Sequence, residues 1–271
     1  MNTATIFAAL SADPFPALPA SFRNLPDKPL SLDPEKAFKS LVEWTTSIAR
    51  SSPGFVMGLD GTDSILTFLI CSKAFERLGR SDRLVGIHYG RAYEPSDWLS
   101  KFGQVELVQL TSDPNYLADS KYWAALQNYA LKDWQPEKHF WVTGTRNRTE
   151  DVLYRYSNAS MIASVQPIVG LWKTEVLELC DYLGVPKSIS ERSREVPACL
   201  GCRDEFAAKN IDKIDHLLMV RCGLLDPTFV AGYDPRLTEY IDEQIEKNSF
   251  KVKIPYRPEA ELLSSARRVA A

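Results

Sequence analysis

Between residues 33 and 186, short apolar segments alternate with longer segments whose apolar residues recur every three or four positions. The first pattern is typical of buried β-strands and the second of amphipathic helices. Strands are predicted at residues 54–58, 83–89, 105–110 and 139–143, and helices at residues 63–78, 120–131 and 174–183. An earlier helix is predicted to begin at Pro34, after an Asp33 N-cap, and to end before the Ser52-Pro53-Gly54 stop.

This order of elements predicts an α/β fold, a doubly wound parallel sheet of about five strands flanked by helices, Rossmann-like in form. Ligands of such sheets bind beyond the carboxyl ends of the strands, so the loops there are the places to look for chemistry. We expect one domain over residues 33–258, preceded by a Pro-rich arm, residues 1–32, and followed by a tail, residues 259–271.

Composition narrows the classes of partner. The chain has 271 residues, 45% of them apolar, and 32 Lys and Arg against 35 Asp and Glu, for a net charge of −3. Nucleic acid is not expected as a partner, because such binding depends on excess positive charge. No apolar segment is long enough to cross a bilayer, and no basic region precedes the apolar residues near the start. With five cysteines, an odd number, we expect a cytoplasmic protein that does not bind a membrane.

The loop after the first predicted strand has the composition of a phosphate cradle. It reads Met57, Gly58, Leu59, Asp60, Gly61, Thr62, Asp63 and Ser64 and leads into a helix. Glycines let backbone amides approach an anion, and a helix N-terminus adds partial positive charge. The lysine of a Walker P-loop is absent. The alternative interpretation is an ordinary turn, with Asp60 or Asp63 as the helix N-cap.

Two further segments supply complementary charges. Thr145 and Glu150 follow the fourth predicted strand, and Lys173 precedes a helix. Mg²⁺ commonly takes one or two protein carboxylates, so Asp63 and Glu150 together would suit a magnesium–nucleotide complex. Each acid alone could instead be only a favourable residue at a helix start.

Residues 144–186 resemble the core of NAD synthetase, an N-type PP-loop ATP pyrophosphatase with an adenine nucleotide alpha hydrolase-like fold. Residues 57–64 stand where that family has its SGG-x-DS loop, and Asp204-Glu205, the 211–218 segment and Asn248-Ser249-Phe250-Lys251 resemble later elements of the family. The resemblance implies a ligase that uses ATP and Mg²⁺ to adenylate the carboxylate of deamido-NAD. Ammonia then converts the adenylate to NAD, with AMP and pyrophosphate released.

The resemblance also implies the site residues. Asp63 and Lys173 would be catalytic, Asp63 and Glu150 would bind Mg²⁺, and ATP would contact residues 57–64, Thr145 and Lys173. The deamido-NAD substrate would contact Arg155, Asp204, Glu205 and Lys251. Ammonia would come free or from a separate glutaminase, and the family forms homodimers.

Departures from the family pattern keep two alternatives open. Leu59-Asp60-Gly61 replaces Ser-Gly-Gly, which places a carboxylate where phosphates should lie. Arg155-Tyr156-Ser157-Asn158-Ala159-Ser160 replaces the family's substrate segment. The chain could therefore be a PP-loop ATP pyrophosphatase that acts on another carboxylate or on a thiolation acceptor, or a nucleotide-binding protein that has lost catalysis.

Cys199 and Cys202 form a CxxC pair with three interpretations. They are plain loop cysteines, half of a Zn²⁺ site, or reactive thiols close to Arg203. Plain loop cysteines are favoured, because tetrahedral Zn²⁺ needs four ligands and the sequence offers few others.

Overall fold

The computed structural model describes residues 25–29, 31–59, 61–89, 96–108, 124, 126–129, 139–156, 158–190 and 205–253. Four of the predicted site residues lie outside these ranges: Asp60, Cys199, Cys202 and Asp204. Most of the N-terminal arm, the C-terminal tail and part of the predicted 120–131 helix also lie outside them.

The regular elements follow the predicted alternation. They are α1 Pro34–Ala49, β1 Phe55–Leu59, α2 Thr62–Arg77, β2 Leu84–Tyr89, α3 Ser96–Leu99, β3 Gln104–Val108, β4 Trp141–Val142, α4 Arg148–Val152, α5 Lys173–Tyr182, α6 Lys187–Ser190, α7 Glu205–Lys209, α8 Ile211–Arg221 and α9 Pro235–Asn248. Short 3₁₀ turns occur at Ser81–Arg83, Asn158–Ile162, Pro227–Val230 and Ser249–Lys253. The predicted elements are observed to within one or two residues wherever they fall in the described ranges.

Within the described residues the sheet has four strands in the order β3-β2-β1-β4, and all the pairs are parallel. A parallel bridge between Thr143 and Val165 continues the sheet beyond β4. The prediction of a parallel, doubly wound α/β fold is confirmed, and the observed strand number is close to the expected five. Because the chain runs outward from β1 to β3 and then returns to the other side of β1, the strand order reverses between β1 and β4.

Both faces of the sheet are covered. On one face, Phe55, Met57 and Leu59 of β1 pack with α1, α2 and α5, and the Phe55 ring meets Phe75 edge to face at 5.1 Å. On the other face, Val56 packs in a second cluster that includes Leu126. This two-sided burial explains why β1 reads as a continuous apolar segment.

Helix α1 begins as predicted. The Asp33 side chain accepts a hydrogen bond from the Lys36 amide at 3.1 Å, with Pro34 at the first helical position. The C-terminal helices α8 and α9 form a further layer, in which Leu218, Leu237 and Ile241 pack around Trp172. Among the residues described, no helix is both long and apolar enough to span a bilayer.

Gly86 in β2 is required by close packing. A Cβ atom built there would lie 2.4 Å from Leu59 Cδ1 and 3.1 Å from Phe68 Cε2, and both neighbours are fully buried. We expect Gly86→Ala to lower the free energy of unfolding by about 1–3 kcal/mol, because overpacking forces core side chains out of place. Urea unfolding measures the change. Gly170→Ala is the control, since nothing lies within 4 Å of that position; equal effects of the two variants would contradict the packing argument.

Candidate functional site

A cavity opens at the carboxyl ends of β1 and β4, where the strand order reverses. Its lining includes Gly58, Thr143, Gly144, Thr145 and Ala163. Gly144 allows the wall to close, because a Cβ atom there would come within 2.9 Å of Ala163 Cβ. Ligands of open parallel sheets bind at this position, so the cavity lies at the end of the sheet where a ligand is expected.

A cation and a carboxylate meet at the start of α2, close to this edge. The Lys173 ammonium, at the start of α5, forms an ion pair with the Asp63 carboxylate and donates to the Thr62 hydroxyl at 2.8 Å. The two residues of the pair are 110 positions apart in the chain. Lys173 is 2% exposed, whereas the side chain of Asp63 is 17% exposed. The Lys173 ammonium is therefore buried, whereas part of the Asp63 carboxylate remains exposed to solvent.

Asn147 connects this pair to the second predicted metal-binding acid. Its side-chain amide donates to Asp63 Oδ1 at 2.8 Å, and its own Oδ1 accepts from the Glu150 amide at 2.9 Å. The Glu150 carboxylate accepts a hydrogen bond from the backbone N–H of Asn147 at 3.3 Å, which completes a capping box for α4. Asn147 is 1% exposed. Asn147 thus contacts both of the carboxylates predicted to hold Mg²⁺, Asp63 through its side chain and Glu150 through its backbone N–H.

Replacing Asn147 by Ala is expected to weaken magnesium–ATP binding about tenfold, because side chains that orient metal ligands typically have effects of this size. Loss of the N-cap should also cost about 1 kcal/mol of stability. Calorimetric titration of ATP in the presence of Mg²⁺ measures the first effect and urea unfolding the second. Asn210→Ala is the matched control, since the Asn210 side chain donates to Phe206 O rather than to a residue of the predicted site. Unchanged binding in the Asn147 variant would show that the link does not orient Asp63.

The first turn of α5 is already hydrogen bonded within the chain. The Trp172 amide donates to Glu175, the Lys173 amide to Thr149 Oγ1 at 2.9 Å, and the Thr174 amide to Asp215 Oδ2 at 2.9 Å. The amides of residues 172–174 thus all donate to protein oxygens. Any contact of Lys173 with a bound anion therefore comes from its ammonium group.

Two acids beside this turn have displaced pKa values. Burial raises the pKa of Asp215 to about 6, although hydrogen bonds from Thr149 and Thr174 oppose the shift. Burial likewise raises the pKa of Glu175 to about 7, with a further contribution from the Asp215 charge. The thiol of Cys180, which approaches Thr62 O at 3.7 Å, has its pKa raised by burial to about 12, so it stays protonated.

The predicted phosphate cradle, residues 57–64, spans the end of β1 and the start of α2. Met57 and Leu59 are strand residues, and their fully buried side chains belong to the hydrophobic core. A ligand could meet these positions only through their backbone. The prediction that ATP contacts residues 57–64 therefore stays a prediction, and at Met57 and Leu59 it concerns the backbone alone. Gly61, Thr62, Asp63 and Ser64 lie at the N-terminus of α2, where Ser64 Oγ bonds back to Gly61.

Arg155 and Lys251 are brought together on the far side of α4. Arg155 bonds to the hydroxyl of Tyr240, and Lys251 donates to the backbone oxygens of Tyr154 and Tyr156 at 2.9 and 2.7 Å. Burial and the nearby Arg155 charge lower the pKa of Lys251. These bonds use two of the three ammonium donors, and the same ammonium lies 5.3 Å from the centre of the Tyr156 ring.

The remaining predicted residues fall in different surroundings. Thr145 lines the cavity. Glu205 is exposed on α7 and pairs with Lys209 of the same helix. Within the described ranges, no three His, Cys, Asp or Glu side chains are grouped to hold a metal by themselves. The two-carboxylate arrangement predicted for Mg²⁺ needs fewer protein ligands.

Sequence reasoning assigned no role to Asn147, Thr149 or Asp215. The capping-box spacing from Asn147 to Glu150 could have identified the first. The other two carry no local signal, since only the fold brings Asp215 to Thr149.

The fold and the site define a Rossmann-like α/β protein whose charged residues gather at the reversal point of a parallel sheet. The NAD synthase family model matches residues 108–255, more than half of the chain. The chain therefore belongs to the NAD synthase family. The prediction made from the resemblance is confirmed.

Individual relatives agree with this assignment. The chain is 30% identical over 152 residues to an NH(3)-dependent NAD(+) synthetase of Helicobacter pylori, covering 53% of this chain and 58% of that protein. It is 26% identical over 231 residues to one of Methanocaldococcus jannaschii, covering 76% and 89%. The match thus spans little more than half the length of the Helicobacter relative. The structure of an NH3-dependent NAD synthetase from Campylobacter jejuni superimposes with a TM-score of 0.62 at 20% identity, over 84% of this chain and all of that one, which supports the fold.

Proposed function

We propose that this chain is an ATP-dependent, amide-forming ligase of the NAD synthetase type. It adenylates the carboxylate of deamido-NAD and releases pyrophosphate, and ammonia then displaces AMP to form NAD. One observation carries the proposal. Lys173 and Asn147 lie within the segment matched to the family, and both bind Asp63, which precedes that segment. These contacts support including the N-terminus of α2 in the proposed site.

The residues fit the roles that this reaction requires. Asp63 and Glu150 are the carboxylates that would hold Mg²⁺, which when bound would neutralise phosphate charge. The exposed part of Asp63 suits this role, since a fully enclosed carboxylate could not reach a metal. Lys173 places its ammonium beside Thr62, at the N-terminus of α2, where it would stabilise the departing pyrophosphate.

Substrate recognition is assigned to the other end of α4. Arg155 and Lys251 supply positive charge there, and the Arg155 amide bonds to Glu150 O at 2.9 Å, which couples the two ends of the helix. Asp204 and Glu205 complete the proposed contacts with deamido-NAD, and Thr145 contacts ATP. Catalysis then consists of positioning and charge stabilisation, with no covalent nucleophile.

We further propose that the protein works in the cytoplasm as a homodimer. Its ammonia would be free or supplied by a separate glutaminase. Sedimentation equilibrium of the purified chain measures the oligomeric state; a monomer at micromolar concentration would contradict the dimer.

Incubation of the purified chain with ATP, Mg²⁺, ammonium and deamido-NAD tests the proposed reaction. We expect NAD and AMP in equal amounts, with no product when any one component is omitted. AMP release with another carboxylate or a thiolation acceptor, but not with deamido-NAD, would move the assignment to a different PP-loop ATP pyrophosphatase. ATP binding without AMP release for any acceptor would identify a nucleotide-binding protein that has lost catalysis.

A further inference from the structure

We propose that Asp215, on α8, is a positioning residue that holds the backbone beside Lys173 and Glu150 in place. This inference rests on the proposed function, because it concerns the same phosphate and metal site. Asp215 is 0% exposed and lies in a different layer of the protein from the residues that would meet ATP.

The contacts of Asp215 join three elements. Its Oδ1 accepts from the Thr149 hydroxyl of α4 at 2.5 Å, and its Oδ2 accepts from the Thr174 amide of α5 at 2.9 Å. The Thr149 oxygen in turn accepts from the Lys173 amide at 2.9 Å. One carboxylate on α8 thus ties the start of α4 to the start of α5.

The tied positions adjoin the proposed chemistry. Thr149 immediately precedes Glu150, and Thr174 immediately follows Lys173. The Lys173 side chain then spans from this anchored backbone to Asp63 and Thr62. Displacement of either helix start would change the relative positions of the ammonium and the carboxylates, and small errors of this kind are costly in catalysis.

A contribution to stability does not by itself explain why a carboxylate is buried at position 215. Within the described part of the chain, Asp215 forms no ion pair, and its hydrogen bonds come from uncharged groups of Thr149 and Thr174. A buried charge of this kind is expensive, and well-packed apolar residues often stabilise a core at least as well. The apolar neighbours Ile214 and Leu218 already pack α8 into its layer.

Three variants test the role. Asp215→Asn keeps the shape but offers a single acceptor oxygen, and Asp215→Ala removes both. Thr149→Val breaks the same link from its other end. Asp212→Asn is the matched control, because Asp212 is exposed one turn earlier on the same helix.

Two measurements are made on each folded variant. In the unliganded protein we expect hydrogen exchange at the amides of residues 173 and 174 to be about tenfold faster than in the wild type. Calorimetry should show ATP with Mg²⁺ binding about tenfold more weakly, an effect typical of lost supporting contacts, with AMP affinity unchanged. A merely structural role would alter both nucleotides alike or neither, so the ratio of the two affinities is the informative quantity.

The outcomes separate the two proposals. Unchanged exchange and an unchanged ATP-to-AMP affinity ratio in Asp215→Asn would overturn the positioning role while leaving the ligase activity standing. If the wild-type protein bound no ATP, the proposed function would fail, and hydrogen exchange alone would still decide whether Asp215 anchors α5. Should Asp215→Ala fail to fold, Asp215→Asn and Thr149→Val retain the test.

Discussion

Asp63→Asn is expected to lower the rate of AMP formation at least about 100-fold and to destabilise the protein by about 2–4 kcal/mol. The activity loss follows from removing one of two proposed metal carboxylates at the centre of the site. The stability loss arises because Lys173 is 2% exposed and would lose its carboxylate partner, and breaking a buried pair from one side is strongly unfavourable.

The geometry of Asp63 makes Asn a poor substitute even though its shape is retained. Oδ1 accepts from Asn147 and Oδ2 accepts from Lys173, so both oxygens act as acceptors. An asparagine at this position would accept from one of the two donors through its side-chain oxygen. Its own N–H groups would then face the other donor.

AMP formation and urea unfolding of the Asp63 variant are compared with those of Asp82→Asn, a change at an exposed acid outside the site. The control should change stability by no more than about 0.5 kcal/mol. Normal AMP formation by folded Asp63→Asn would remove Asp63 from the chemistry.

The pattern of apolar residues predicted the strands well, because a strand that is buried on both faces is apolar along its whole length. All five residues of β1 are buried, and the predicted strand was displaced by a single residue. The burial of the Met57 and Leu59 side chains could not be predicted from the same segment. Met57 and Leu59 precede a glycine-containing turn, and nothing local distinguishes a core side chain there from a loop residue.

The site itself depends on contacts between residues distant in sequence. Asp63 and Lys173 were assigned through the resemblance, since no spacing rule joins residues 110 positions apart. Asp212 and Asp215 illustrate the remaining limit. Both are acids on α8, three positions apart, yet the first is exposed and the second fully buried. Only the packing of α8 against α4 and α5 decides which of the two acts near the site.

Lys173→Met is expected to reduce AMP formation about 10²–10³-fold, with a smaller loss of stability than Asp63→Asn. The ammonium is the donor assigned to the charge that develops on leaving pyrophosphate, and removing one such donor typically has an effect of this size. The methionine fills most of the same buried volume. The carboxylate left behind is 17% exposed and keeps its bond from Asn147, so solvent and one amide still compensate its charge.

The Lys173 variant distinguishes two possible roles of this lysine, neutralising Asp63 or stabilising phosphate. If Lys173 served only to neutralise Asp63, Lys173→Met would reduce activity only in proportion to the loss of folded protein. If Lys173 acts on phosphate, a fully folded Lys173→Met protein still forms AMP slowly. Relative to the wild type, its affinity for ATP falls by more than its affinity for AMP. Lys187→Met, at an exposed lysine on α6, is the matched control and should retain full activity. Wild-type AMP formation by the Lys173 variant would exclude this lysine from pyrophosphate stabilisation.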